Sequence, residues 1–260
     1  MDLQLKGRVV LVTGGASGIG AAIARSLAQE GAVAVIVDKC AESSRALLAQ
    51  VPPDGGSIDA LTMDVTAPEN CRRAVEETAG KFGRLDALVN NIGVNDRVGL
   101  EKGSPEAFVA SLERNLFHYY YMAHYALPAL KEAHGTIVNI ASKTAVTGQG
   151  DTSGYASAKG AILALTREWE VELSPYHIRV NAIVPAEVLT PGYHQWLEAF
   201  PDPEAKLSNI VSRIPLSKRM TAPEEIAAAA LFLISCKSGH MTGQHVFVDG
   251  GYVHLDRALT

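Results

Sequence analysis

Tyr155 and Lys159 stand four residues apart in the run YASAK, a spacing that places both side chains on one face of a helix. A phenol has an ordinary pKa of about 10, so alone it is a weak base at neutral pH. An ammonium group about 4 Å away is worth about 4 kcal/mol at an effective dielectric of about 20, or about three pKa units. We therefore expect Lys159 to lower the pKa of Tyr155 until the phenol can take a proton from an alcohol.

A glycine-rich turn near the start of the chain is the second chemical signature. An apolar run at 8–13 leads into TGGASGIG at 13–20, and a helical pattern follows. Unpaired N–H groups and the dipole at a helix N-terminus bind phosphate. Gly14, Gly18 and Gly20 would let the backbone approach a pyrophosphate and let the helix pack closely on the sheet. With the Tyr–Lys pair, this turn predicts a nucleotide cofactor and hydride transfer.

Asp38 ends the second apolar run, eighteen residues after Gly20. A carboxylate there can accept hydrogen bonds from both adenosine ribose hydroxyls and would repel a 2′-phosphate, so NAD is favoured over NADP. Lys39 weakens this preference slightly because a cation could neutralise a phosphate. Alternatively, Asp38 only caps the following helix. Asp64 and Val65 after the third run, and the NNIG motif at 90–93 after the fourth, complete the expected cofactor crevice.

Strand-like apolar runs alternate with helical patterns along the whole chain. We predict strands over 8–13, 32–37, 59–63, 87–90, 136–140, 179–183 and 245–248. We predict helices over 21–29, 41–50, 68–82, 105–131, 155–173 and 223–235, and a Pro/Gly turn at 52–56. Most runs lack polar alternation, which indicates a single doubly wound α/β domain over 1–260 whose parallel sheet is covered on both faces. The proline-rich segment 190–216 is the least regular and is expected to form a mobile lid.

Composition excludes several classes of function. The net charge of −5, without a run of Lys or Arg, argues against a nucleic-acid surface. No apolar stretch reaches about 18 residues, so no membrane span is expected. The start of the chain lacks a secretory signal pattern, which predicts a cytoplasmic protein. The three cysteines lack C-x-x-C spacing, so we expect neither a disulfide framework nor a metal site.

The order and separations of these motifs resemble the short-chain dehydrogenase/reductase family over nearly the whole chain. The matching features are TGGASGIG at 13–20, DV at 64–65, NNIG at 90–93, Asn115, Ser142, YASAK at 155–159 and VDGG at 248–251. The resemblance implies a nicotinamide cofactor and a Rossmann-like domain with a seven-stranded parallel sheet. It also implies a homotetramer whose interface is built from the helices at 105–131 and 155–173.

The same resemblance implies roles for individual side chains. Tyr155 would be the general base, and Lys159 would lower its pKa and hold the nicotinamide ribose. Ser142 would hydrogen-bond the substrate oxygen, and Asn115 would fix a water that passes protons toward Lys159. Cofactor contacts are expected from Gly14, Ser17, Gly18, Ile19, Gly20, Asp38, Lys39, Asp64, Val65, Asn91, Gly93, Tyr155, Lys159, Val188 and Thr190.

The loops expected near the nicotinamide are polar, which suits a small polyol or sugar more than an apolar substrate. Where the family commonly has Pro-Gly, this chain has Pro185-Ala186-Glu187, which adds a carboxylate beside the predicted site. Substrate contacts are expected from Asn95, Ser142, Lys143, Gln149, Tyr155, Glu187 and Trp196. His118, His124 and the tyrosines at 119–121 and 125 are expected to serve the helix interface instead.

Three stretches, SKTAVTGQGDTSGYASAKG, PAEVLTP and FVDGGYVHLDRA, resemble the bacterial sugar dehydrogenases of this family, especially those that act on L-fucose. That resemblance implies NAD-dependent oxidation of the anomeric hydroxyl of an aldose to a lactone. A steroid, another secondary alcohol or a 3-ketoacyl substrate stays open and would need an apolar lid. A sugar acid, such as a 2-keto-3-deoxy acid, would need a cation, for which Arg97, Lys143 and Arg213 are candidates. A catalytically inactive nucleotide-binding regulator on this fold is the remaining alternative.

Overall fold

The apolar runs form one parallel sheet in the computed structural model, which describes residues 1–51 and 55–255. The strands are β1 Val9–Thr13, β2 Val33–Asp38, β3 Ser57–Thr62, β4 Ala87–Asn90, β5 Thr136–Ile140, β6 Arg179–Pro185 and β7 His245–Val248. Within these described ranges the sheet has seven strands in the order β3-β2-β1-β4-β5-β6-β7, all paired in parallel. The predicted fold class is confirmed, and the carboxyl ends of all strands lie at one edge.

Helices connect the strands, as the alternating pattern predicts. They are α1 Gly18–Gln29, α2 Ala41–Leu48, α3 Pro68–Phe82, α4 Pro105–Leu112, α5 His118–Ala133, α6 Ser153–Leu173, α7 Pro191–Glu198, α8 Pro203–Val211 and α9 Pro223–Ile234. The first helix begins three residues earlier than expected, directly on the glycine-rich turn. Most of the predicted turn at 52–56, and residues 256–260, lie outside the described residues.

The sheet separates two apolar clusters because successive side chains of a strand point to opposite faces. In β1, Val10 and Val12 pack with α1 and α9, whereas Val9 and Leu11 pack with α3, α5 and α6. Every residue of β1 is buried. This double coverage explains why the strands are continuous apolar runs, and it leaves the sheet's carboxyl edge as the open surface.

The predicted helix over 105–131 is interrupted, which the sequence pattern did not indicate. Residues Glu113–Phe117 form a π-helical segment between α4 and α5. Within it, the Asn115 side-chain Nδ2 donates to the carbonyl oxygen of Ser111, the acceptor that an α-helix would assign to the Asn115 backbone N–H. This competition for one acceptor accounts for the wider turn. π-Helical turns of this kind are frequent at functional sites.

The segment 190–216 is more regular than its prolines suggested, so the expectation of an irregular stretch is wrong. It contains α7 and α8, and Pro191 and Pro203 each occupy the first helical turn, where the missing N–H costs nothing. Thr190 and Asp202 cap the two helices through their side-chain oxygens. The prolines therefore begin helices here, and the role of this segment as a lid stays a prediction.

Asp86 links the start of β1 to the start of β4 through its side chain, and we expect this carboxylate to contribute electrostatically to the stability of the fold. Its buried carboxylate accepts hydrogen bonds from Arg8 at 2.7 Å, Arg84 at 2.6 and 2.8 Å, and the Val9 N–H at 2.9 Å. We expect Asp86→Asn to cost about 2 kcal/mol in the free energy of unfolding at pH 7, because the buried site loses the negative charge and the two hydrogen bonds that the replaced oxygen accepts. Urea unfolding measures this cost.

The neighbouring charges hold the pKa of Asp86 below its usual range although burial opposes them. A carboxyl whose pKa is lower in the folded state stabilises the fold above its unfolded pKa of about 4, and this stabilisation is lost as the pH falls through the folded value. The difference between wild type and Asp86→Asn should therefore shrink at acidic pH. Asp59→Asn, which breaks an exposed pair with Lys81, is the control and should cost less than about 1 kcal/mol.

Candidate active site

A cleft of about 540 Å³ opens at the carboxyl edge of the sheet. This volume lies within the range of about 300–1,000 Å³ that is usual for ligand sites. The predicted cofactor residues that line it are Gly14, Ser17, Gly18, Ile19, Asp38, Lys39, Asp64, Val65, Asn91, Gly93, Tyr155, Lys159, Val188 and Thr190. Ser142 lines it as well. The fold thus brings together at one edge residues that are up to 176 positions apart in the sequence, from Gly14 to Thr190.

The glycine-rich turn forms one end of the cleft, and each of its glycines is needed there for a different structural reason. Gly14 and Gly18 have positive φ angles of 61° and 52°, a backbone conformation that residues with a side chain rarely adopt. A Cβ at Gly20 would lie 2.2 Å from the carbonyl oxygen of Gly14, so α1 can pack on the turn only without a side chain there. Asn91 completes the turn by donating from Nδ2 to the carbonyls of Thr13 and Gly14. This cradle fits the pyrophosphate of a dinucleotide.

Asp38 stands at the mouth of the cleft, at the end of β2. Its Oδ2 accepts the N–H of Ala16 at 3.2 Å, and its Oδ1 accepts the N–H of Cys40 at 3.0 Å. The carboxylate is therefore fixed between the glycine-rich turn and the start of α2. It does not cap α2 as the alternative interpretation had it, because Cys40 occupies the N-cap position. Lys39 lines the cleft beside it.

Lys159 lies at the floor of the cleft and is 1% exposed. Its Nζ donates to the hydroxyl of Tyr119 at 2.9 Å and to the carbonyl oxygen of Ile140 at 2.8 Å. Gly93 provides the space for this ammonium group, since a Cβ there would lie 2.8 Å from Nζ. Burial lowers the pKa of Lys159 to about 7.

Tyr155 lines the same cleft as Lys159, but the two side chains do not form the close charge contact that their spacing predicts. The Lys159 Nζ lies 5.7 Å from the centre of the Tyr155 ring and donates its hydrogen bonds to Tyr119 and Ile140 instead. Burial raises the pKa of Tyr155, and a hydrogen bond with Ser142 acts in the opposite direction. The expectation that Lys159 lowers the pKa of Tyr155 is therefore not met here, because desolvation is the larger effect.

Asn115 is fully buried behind the cleft rather than in its lining. Its Oδ1 accepts the N–H of Val94 at 2.7 Å, while its Nδ2 donates to Ser111 in the preceding turn. The side chain thus fastens the loop after β4, which carries Gly93 and Val94, to the π-helical segment. Within this structure the role of Asn115 is to hold that wall of the cleft in place.

A buried charged pair adjoins the cleft on the side of Ser142. Lys143, which follows Ser142, forms an ion pair with Glu187, and only 11% and 13% of the two side chains are exposed. The Tyr193 hydroxyl donates to the other carboxylate oxygen of Glu187 at 2.6 Å, and Tyr193 itself lines the cleft. The Lys143 Nζ also lies 4.1 Å from the centre of the Tyr252 ring. Burial lowers the pKa of Lys143 to about 8 and raises that of Tyr193 to about 12.

Of the predicted substrate residues, Ser142 and Tyr155 line the cleft, whereas the other five are not among the described residues of its lining: Asn95, Lys143, Gln149, Glu187 and Trp196. Asn95 and Gln149 are exposed loop residues. Trp196 packs between Tyr193 and Phe200, with ring centres 5.1 and 4.8 Å away, and Arg97 stacks on it at 5.9 Å. Trp196 therefore holds α7 to the loop after β4, and its contact with a substrate stays a prediction.

Comparison with known proteins identifies the family. A short-chain dehydrogenase/reductase model, described as enoyl-(acyl carrier protein) reductase, matches residues 14–253. This chain belongs to the short-chain dehydrogenase/reductase family. An L-fucose dehydrogenase of Bos taurus is 38% identical over 96% of this chain and 91% of its own length. A 3-oxoacyl-[acyl-carrier-protein] reductase, FabG, of Thermotoga maritima is 34% identical over 96% of this chain and 100% of its own.

A solved structure of similar fold supports the same family for this short-chain dehydrogenase/reductase. The crystal structure of Cj0485 dehydrogenase matches with a TM-score of 0.94 at 44% identity, covering 99% of this chain and 98% of the other. The chain is therefore an oxidoreductase of a family that uses nicotinamide cofactors. One of the two sequence relatives is named as a sugar dehydrogenase and the other as a reductase of acyl-carrier-protein substrates, so family membership leaves the substrate open.

Two tyrosines of this short-chain dehydrogenase/reductase take part in the site although sequence reasoning assigned them elsewhere or passed over them. Tyr119 and His118 are expected to serve the interface helix, but both are fully buried in the structure, and the Tyr119 hydroxyl accepts a hydrogen bond from Lys159. Their neighbour Tyr120 is the exposed one, at 52%. The spacing of four residues between Asn115 and Tyr119 was the available signal. Tyr193 was detectable only by its position three residues after the cap of α7.

The described residues contain neither a metal-binding cluster nor a membrane-spanning helix. Within 1–51 and 55–255, no cluster of His, Cys, Asp or Glu has the composition and geometry to hold a metal ion. None of the helices in those ranges is both long enough and apolar enough to cross a bilayer.

Proposed function

We propose that this chain is an NAD-dependent dehydrogenase of a small polyhydroxylated substrate, which oxidises the anomeric hydroxyl of an aldose such as L-fucose to the lactone. The observation that carries the proposal is the cleft itself. Asp38 stands at one end, and Ser142 and Tyr155 stand at the other beside the buried pair of Lys143 and Glu187.

The preference for NAD is supported by the fixed position of Asp38. Two backbone N–H groups orient its carboxylate toward the cleft mouth, where the second strand of a Rossmann-like fold meets the adenosine ribose. A carboxylate so placed accepts the ribose hydroxyls and repels a 2′-phosphate. Lys39 is the one neighbouring cation that would reduce this repulsion among the described residues that line the cleft on this side.

In this mechanism Tyr155 takes the hydroxyl proton of the substrate while its carbon is oxidised. Ser142 hydrogen-bonds the same oxygen and stabilises the charge that develops on it. Lys159 supplies positive charge at the floor of the cleft, and Asn115 holds the wall that carries Gly93 and Val94. When bound, the nicotinamide ring supplies the acceptor for the hydride that leaves the substrate carbon. Because Tyr155 must be ionised to act as the base, oxidation should become faster as the pH rises.

A sugar is favoured as substrate by the polar pair beside Ser142 and by relatives named for L-fucose oxidation. Lys143 bonds Glu187, and Glu187 also accepts from Tyr193, which leaves two N–H donors of Lys143 and further lone pairs of Glu187 for ring hydroxyls near Ser142. A 3-oxoacyl substrate is the second candidate, because FabG of Thermotoga maritima is 34% identical to this chain. A buried charged pair is poorly suited to an acyl chain.

The proposal is tested by following NADH or NADPH formation with NAD and NADP separately, across aldoses, sugar acids and steroid alcohols, and NADH consumption with 3-oxoacyl thioesters. We expect NAD reduction with one or more aldoses and the lactone as product. Turnover of a steroid or acyl substrate without any aldose oxidation would contradict the sugar assignment. Tight NADH binding without turnover of any substrate would favour an inactive regulator.

Glu187→Gln should lower kcat/KM for the best aldose about tenfold, mainly through KM, because a charged hydrogen-bond acceptor beside the substrate is lost. Steady-state kinetics measure this change. Glu198→Gln, an exposed carboxylate at the end of α7, is the matched control and should leave kcat/KM unchanged. Equal kinetics in the two variants would remove Glu187 from the substrate site.

We also propose a homotetramer with its interface on α4, α5 and α6. Support comes from the large side chains exposed on these helices, since Val109, Tyr120 and Val171 are 50%, 52% and 76% exposed. Light scattering on the purified protein measures the assembly, and a monomer at micromolar concentration would contradict this proposal.

A further inference from the structure

The ammonium group of Lys159 is held by two oxygen atoms from outside its own helix. Nζ donates to the Tyr119 hydroxyl on α5 at 2.9 Å and to the Ile140 carbonyl at the end of β5 at 2.8 Å. The Tyr119 hydroxyl in turn lies 2.8 Å from the carbonyl of Ile140 and 3.1 Å from that of Ile92. The phenol oxygen therefore accepts a bond from the cation and has a carbonyl acceptor for its own proton.

This arrangement leaves Lys159 little freedom to move. Both Tyr119 and Lys159 are almost completely buried, and Gly93 closes the remaining side, where even a Cβ would lie 2.8 Å from Nζ. Of the three N–H donors of an ammonium group, two are used by Tyr119 and Ile140. The third remains for the cleft that Lys159 lines.

We propose that Tyr119 is a positioning residue for the dehydrogenase reaction, which fixes the ammonium group of Lys159 at the floor of the cleft and stabilises its charged form. This inference rests on the proposed function, since it takes Lys159 as the cation beside the general base. A buried charge is tolerated only when polar partners replace its lost hydration. Here Tyr119 is one of the two partners found among the described residues.

The titratable groups around Lys159 come from several elements. Tyr155 faces it from α6, Tyr119 and His118 face it from α5, and Arg114 lines the cleft from the π-helical segment. Burial and the nearby ammonium lower the pKa of His118 to about 4, and Asp64, after β3, acts on His118 in the opposite direction. His118 is therefore neutral where Lys159 titrates. Burial raises the pKa of Tyr119 well above its ordinary value, so this phenol stays protonated in the same range.

Tyr119→Phe should lower the pKa of Lys159 by about one unit, a tenfold loss of proton affinity, because the charged form loses one hydrogen-bond acceptor. NMR of protein labelled on its lysine side chains measures this pKa without any substrate, and Lys159→Met assigns the signal. A purely structural role would lower the melting temperature and leave the pKa of Lys159 in place.

Tyr121→Phe is the matched control, because Tyr121 is partly buried on the same helix and its hydroxyl makes no hydrogen bond with the described residues. An unchanged Lys159 pKa in Tyr119→Phe would overturn the inference, whatever the activity. A shifted pKa in a protein that oxidises no alcohol would instead overturn the proposed function and leave the contact between Tyr119 and Lys159 established. If Tyr119→Phe fails to fold, 3-fluorotyrosine at position 119 keeps the hydroxyl with weaker acceptor strength and should give a smaller shift in the same direction.

Discussion

Replacing Tyr155 by phenylalanine should lower kcat by a factor of about 10²–10⁴, the range over which positioned acid–base groups contribute to catalysis. The reason is the loss of the only group placed to take the substrate proton among the described side chains that line the cleft beside Ser142. The fold should be retained, because the substitution removes one oxygen from a side chain that borders the cleft. Steady-state kinetics with the best alcohol substrate and either cofactor measure the loss.

The control for this variant separates chemistry from binding. Tyr125→Phe removes the same oxygen from a partly buried tyrosine on α5 and should keep the wild-type kcat. The affinity for NADH, read from fluorescence quenching, should change less than about tenfold in Tyr155→Phe, because glycines and Asp38 provide the other contacts. Near wild-type turnover in Tyr155→Phe would remove the proposed mechanism.

Changing Asp38 to asparagine should shift the ratio of kcat/KM for NAD to that for NADP by about 10²–10³-fold toward NADP. Two like charges about 4 Å apart at an effective dielectric of about 20 repel each other by about 4 kcal/mol, and the substitution abolishes this repulsion. Lys39, which lines the cleft next to Asp38, would then attract the 2′-phosphate. Asp38 accepts the Ala16 and Cys40 N–H groups with two different oxygens, and the neutral amide keeps one of them, so one of these two contacts should be retained.

Glu42→Gln is the matched control for Asp38→Asn. Glu42 lies on the first turn of α2, is exposed and does not line the cleft, but it carries the same charge only four residues away. This control should leave the cofactor ratio within about twofold of wild type, because exposed charges are screened by solvent and salt. An unchanged ratio in Asp38→Asn would mean that this carboxylate does not contact the ribose, and the preference for NAD would need another cause.

Much of this site could be predicted from local sequence because its parts are local. The glycine-rich turn is one continuous segment between β1 and α1, and Tyr155 and Lys159 share one helical turn, so spacing alone puts each set together. The carboxyl ends of parallel strands meet at one edge, so Asp38, Asp64 and Asn91 could be placed at the same cleft without coordinates. The continuous apolar strands predicted the doubly covered sheet for the same reason.

Other features depend on contacts between distant segments, which spacing does not encode. Lys159 is bonded to Tyr119, 40 residues earlier, and Lys143 to Glu187, 44 residues later. Burial then reverses the electrostatic expectation for Tyr155, because desolvation depends on how α5, α6 and β5 pack together. The π-helical turn at Asn115 has a similar origin, since one side-chain amide competes with the backbone for the Ser111 carbonyl. Residue order therefore specified which groups reach the carboxyl edge, whereas packing decided which atoms they bond and which charges they can carry.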